Sequence, residues 1–225
     1  MKQSDRSLIL WMRIGACAAP LAGLTYVFGF WVDLGGQSAM WFALGFPPTL
    51  LLACISLVVF IGRGRTTPAL QTALICSALA VGTFLIMITV QSSLRVTLLA
   101  DARALDDGQA KVAAQWAVRA MNQTQLAFDI AWDVWISMAT AAFGLGMLGR
   151  SRSMFERLAG GYGILAGVAG LAINLAVFPV PPTNAGLPDP GMFFFVWFGI
   201  VGLSMTWLGF RGSETILTRL HQDEP

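Results

Sequence analysis

Charge is scarce in this chain: lysine, arginine, aspartate and glutamate make up 12% of its 225 residues, and histidine occurs once, as His221. Soluble domains carry about 25% charged residues, so a water-soluble globule is excluded. No histidine stands in an apolar stretch, and Cys17, Cys54 and Cys76 show no CxxC spacing. The missing histidines and cysteine pairs disfavour metal-dependent chemistry, and neither a metal nor a cofactor is expected. The three cysteines read as small apolar fillers. Alternating segments of about 10 residues, which a membrane barrel needs, are missing as well, and no nucleic-acid partner is expected.

What the chain has in quantity is apolar length. Hydrophobic residues make up 56% of it, and six stretches reach the roughly 20 residues that carry a helix across a ~30 Å hydrocarbon core. They run Leu8 to Val32, Met40 to Gly62, Ala69 to about Val90, about Ala127 to Leu148, Leu158 to Val180 and Met192 to Phe210. The expected fold is all-α, one domain over residues 1–225, a polytopic bundle of six transmembrane helices. With the amino terminus in the cytoplasm, the inner segments hold ten cations (Lys2, Arg6, Arg13, Arg63, Arg65, Arg150, Arg152, Arg157, Arg211, Arg219) and the outer ones four (Arg95, Arg103, Lys111, Arg119). That is the positive-inside asymmetry, so both termini are expected in the cytoplasm.

Local signals refine the picture. Pro20 is expected to kink the first span, and Gly35-Gly36 to turn the chain after it. Pro47-Pro48 either breaks the second span or leaves Trp41 to Phe46 lying in the interface. Pro68 suits the first turn of the third span, which has no breaker before Ala104. Asp106-Asp107-Gly108 then supplies an acidic cap for an alanine-rich helix running into the fourth span. Residues 91–126 are thus expected to form an extramembrane helical hairpin whose apolar face includes Val112 and Trp116. In the fifth span Gly163, Gly167, Gly170 and Asn174 share a face suited to close packing, with the fourth helix as natural neighbour and a second chain as another use. The proline-rich stretch from Phe178 to Gly191 reads as a stiff connection able to cap a cavity mouth. The sixth span reads as largely lipid-exposed, and Ser213 as the cap of a short amphipathic tail helix.

The unusual feature is a pair of carboxylates inside the fourth span. Asp129 and Asp133 are four residues apart and lie on one helical face, a stripe that continues through Asn122, Gln125, Ser137, Thr140 and Gly144. Ionisable groups in a bilayer are costly and face a bundle interior or a wet cavity. Two of them side by side cannot both ionise easily, so the pair is expected to titrate protons or serve as acid and base. Counting 1.5 Å per residue places Asp133 and Asn174 both roughly 25 Å from the cytoplasmic ends of their helices, with Asp129 and Gln91 at roughly 30 and 34 Å. Asn174, Gln91, Trp132, Trp135 and Arg95 are therefore the candidate ligand-binding residues around a catalytic or proton-coupling Asp133 and Asp129. Turned inward, Arg95 would instead make the site a structural ion pair. Trp31, Trp41, Trp132, Trp135 and Trp197 also fit an interfacial aromatic belt.

The run FDIAWDVW at 128–135, followed by the arrangement from Gly163 to Gly191 that ends NLAVFPVPPTNAGLPDPG, resembles uncharacterised bacterial six-helix membrane proteins of the domain-of-unknown-function type. The resemblance covers roughly the second half of the chain and implies a multi-pass inner-membrane protein; it carries over no catalytic residue. Three functions follow as expectations. The first is an outward-facing polar cavity that binds, or binds and transports, a small hydrophobic or amphipathic molecule. The second is an integral-membrane enzyme working on a lipid or isoprenoid-like substrate with Asp133 as proton donor. The third is an accessory subunit packed through Gly163, Gly167 and Gly170, as a homo-oligomer or with another membrane protein. Membrane lipids are partners in all three.

Overall fold

The computed structural model describes residues 3–34, 36–63, 65–106, 108–151 and 153–221. Gly35 of the expected first turn, Asp107 of the expected acidic cap, and Lys2 and Arg152 of the charge count lie outside them, as do the side chains of Ser213 and His221. Among the described residues the chain is all-helical: α1 Gln3–Phe30, α2 Gly36–Gly62, α3 Pro68–Thr89, α4 Arg95–Ala104, α5 Gln109–Leu148, α6 Met154–Val177, α7 Gly191–Gly209 and α8 Ser213–His221. Six helical runs are long and apolar enough to cross a membrane. The chain is a multi-pass membrane protein.

Residue chemistry explains most boundaries. Pro68 opens α3 at its first position, and the Thr67 hydroxyl accepts from the Leu70 amide at 3.3 Å, satisfying a donor that the helix start leaves open. α6 begins at Met154, four residues before the first apolar position expected, because Ser153 caps it and accepts from the Glu156 amide at 3.2 Å. It stops at Val177 rather than Val180: a residue before proline avoids helical geometry, and Phe178, ahead of Pro179, is extended. α3 does continue to Ala104, through one π-helical turn at Val90–Leu94. Gly108, at φ 145, starts α5 in place of a side-chain cap; only glycine tolerates that angle readily. α4 then packs back on the first part of α5 as a helical hairpin.

α2 is not broken at Pro47-Pro48: it is one continuous helix with both prolines inside and Pro47 fully buried. Inside a bundle, neighbouring helices support the turn that proline loosens. Here Gly29 of α1 lies so close that an added Cβ would stand 2.8 Å from the Ala43 amide nitrogen, and Thr25 and Thr49 meet hydroxyl to hydroxyl at 3.4 Å.

Each spanning helix packs on its neighbours in the chain, and α7 returns to pack on both α6 and α1, so the six close into a ring. Lipid tails are as apolar as leucine, so such helices are held by close fit rather than by water exclusion. The backbones of α5 and α6 approach closely: a Cβ on Gly144 would stand 2.6 Å from the Gly160 carbonyl oxygen, and one on Gly167 2.6 Å from the Ala141 amide nitrogen. Gly163 and Gly170 meet Trp197 and Phe194 of α7. The glycine face is therefore used within the chain.

At the end that carries the termini, the ring is filled by Met12, Cys54, Leu70, Phe143 and Met205. Three loop ends are also tied there. Arg63 pairs with Glu156 at 3.0 Å, with both side chains less than a tenth exposed. Arg150 donates to the Gly62 carbonyl at 2.6 Å, and Arg63 to the Arg150 carbonyl at 3.4 Å. Two of the cations counted on the inner side, Arg63 buried and Arg150 half-buried, thus connect α2, α5 and α6.

Candidate functional site

Towards the opposite end, where the α4–α5 hairpin lies, the ring is not filled. A cavity of about 410 Å³ opens between α1, α2, α3, α5 and α7 under the loop that precedes α7. This is within the range of pockets that take small molecules. Its walls are mostly apolar and include the rings of Tyr26 and Phe30 from α1, Phe46 from α2, Phe84 from α3, Trp132 from α5, and Phe194, Phe195 and Phe198 from α7. Phe84 stacks obliquely on Trp132 at 4.8 Å and meets Phe46 edge-on at 5.1 Å, so the rings brace one another. Polar groups are few: Gln91, Gln125, Asp129, Asp133, Thr183 and Asp189.

The four-residue spacing does place Asp129 and Asp133 on one wall, Asp129 half-buried and Asp133 buried. Below them the stripe changes use. Ser137 and Thr140 donate to the Asp133 and Ile136 carbonyls of their own helix at 2.5 and 2.7 Å, the common way for a buried hydroxyl in a helix to be satisfied. Ser137 instead faces the glycines of α6.

The other expected site residues divide. Gln91 lines the cavity from the π-helical turn, the type of helix defect that recurs at functional sites, and Trp132 forms part of the wall. Asn174 lines no part of it. It is buried behind Asp133, within hydrogen-bonding reach of that carboxylate, as the matching depths of the two residues suggest. Its Nδ2 donates to the Gly170 carbonyl at 3.0 Å, while its Oδ1 has no hydrogen-bond partner. Trp135 is absent from the cavity because two residues beyond Asp133 is about 200° round a helix; it packs beside Cys76, Ala80 and Ile136 instead. Arg95 is also absent, because its Nε donates to Asn122 at 2.9 Å within the hairpin. It pairs with neither aspartate, so the structural ion pair considered for this site is not made.

Tyr26, Thr183 and Asp189 are site residues that sequence reasoning passed over. The loop bearing the last two folds down into the ring, with Pro181, Pro182 and Pro190 buried. Asp189 accepts from the Gly191 amide at 2.7 Å and faces the same space as Asp129 and Asp133. A clue was available, since a carboxylate between two prolines is held in place. The same loop explains Trp197, which is no belt residue. α7 starts deep in the bundle, where the Tyr162 hydroxyl reaches the Phe193 carbonyl at 3.4 Å, and Trp197 is fully buried with its indole N–H donating to the Ala159 carbonyl at 2.8 Å.

Chemically, the arrangement offers an aromatic pocket with hydrogen-bond acceptors concentrated on one side. Arginine, lysine and histidine are absent from its lining among the described residues. Compared with protein-family models, with curated proteins and with solved structures, the chain matches none of them.

Proposed function

We propose that this is a bacterial inner-membrane protein with both termini in the cytoplasm, whose cavity faces outward and binds a small hydrophobic or amphipathic molecule, with Asp129 and Asp133 as its proton-titrating groups. One observation carries the reading: an apolar, ring-lined cavity of about 410 Å³ with two aspartates on its wall. A fold that needed those carboxylates only for packing would pair them, and Arg95, the cation expected nearby, is engaged with Asn122. The distribution of ten inner against four outer cations supports the orientation.

The test fills the space without crowding the helices. Gly23 borders the cavity, and a Cβ there meets nothing within 4 Å. Native mass spectrometry of the gently purified wild type is expected to show a co-purified small molecule, and Gly23→Leu is expected to lose it while eluting as the same monodisperse species. A wild-type spectrum free of any bound molecule, under conditions that retain annular lipid, overturns the proposal.

A further inference from the structure

Resting on the cavity reading just given, we infer that the ligand is a lipophilic organic cation bearing N–H donors, an amine or amidine on an apolar body. Three carboxylates, Asp129, Asp133 and Asp189, face one space, and its lining contains no cationic side chain among the described residues. A carboxyl group as buried as that of Asp133 either holds a proton or ionises beside a counter-charge. The described lining supplies no counter-charge, so a cationic occupant is the group that lets these acids ionise.

A second observation is independent of the carboxylates. Rings line the same space, with Tyr26, Phe46, Phe84, Trp132 and Phe194 among them, and their π-faces attract a cation and repel an anion. The volume accommodates an aromatic ring with a short alkyl chain.

The experiment uses the full chain in zwitterionic phosphatidylcholine nanodiscs, with empty discs as baseline, and three probes of one shape: 4-butylbenzamidine, 4-butylbenzamide and 4-butylbenzoate. Titration calorimetry is expected to show saturable binding of the amidine, weaker binding of the amide and none of the benzoate. Asp133→Asn and, separately, Asp189→Asn are expected to weaken the amidine roughly ten- to a hundredfold and to leave the amide unchanged. Asp189→Asn lies in a loop, so it keeps the test valid if the helix variant fails to assemble. Equal binding of amidine and amide, indifferent to both substitutions, overturns the cation inference while leaving the cavity reading intact. Absence of saturable binding by any of the three overturns both.

Discussion

At the scale of single residues, the molecule treats its charges in two opposite ways. Arg63 and Glu156 are buried and paired, whereas Asp129, Asp133 and Asp189 share a cavity with no cationic side chain. Removing one partner from a buried pair strands the other, at a cost of about 3–5 kcal/mol. Glu156→Ala is thus expected to lower the thermal unfolding midpoint in detergent markedly. The double replacement Arg63→Met with Glu156→Leu should recover most of the loss, which differential scanning fluorimetry can check. A double variant no better than the single one would mean that the hydrogen bond from Arg63 to the Arg150 carbonyl, and not the charge pair, holds this corner. Arg63 also sits at φ 50, a left-handed angle that costs a side chain about a kcal/mol or more. Its position is kept by the contacts it makes.

At the scale of elements, close approach between α5 and α6 is what gives the aspartate-bearing helix its rotation. A Cβ on Gly167 would stand 2.5 Å from the Ser137 carbonyl oxygen, whereas one on Gly161 meets nothing within 4 Å. Gly167→Ala should destabilise by about 1–3 kcal/mol, while Gly161→Ala should be neutral or stabilising by up to about 1 kcal/mol through helix propensity. Thermal unfolding of the two variants side by side tests this, and equal effects would show that the interface yields freely. The glycine pattern was legible in the sequence because a repeat of small residues has one common use in lipid. Helix ends were less so. The start of α6 is set by Ser153 and Glu156, polar residues that a search for apolar length passes over, and Trp197 was misread because the belt rule assumes a helix that begins at the surface. Asp189 escaped notice for a related reason: its place depends on how a loop folds, and neither periodicity nor depth counting reaches a loop.

At the scale of the whole molecule, six helices are long and apolar enough to cross a membrane, with the described chain ends at one end of the bundle and the α4–α5 hairpin at the other. Composition alone sufficed for the number of such helices, since a chain without barrel strands meets its backbone hydrogen bonds in lipid only as helices of this length. Orientation needs a direct measurement. In a variant with Cys17, Cys54 and Cys76 replaced by alanine, Asp106→Cys should react with a membrane-impermeant maleimide in spheroplasts, and Ser151→Cys only after permeabilisation. The reverse pattern would place the cavity mouth in the cytoplasm and invert the direction from which ligand arrives.

The seam between α7 and α1 has a consequence for how the protein is made. Gly209 lies against Met12 and Ala16, and Gly15 against Met205, so α7, which is synthesised after α1, completes a wall that α1 began. Until α7 docks, the nascent chain holds Asp133 beside a gap open to acyl chains, and α1 waits without its mate. The cavity is thus enclosed only when α7 has been made, and deletion of α7 is expected to leave no pocket.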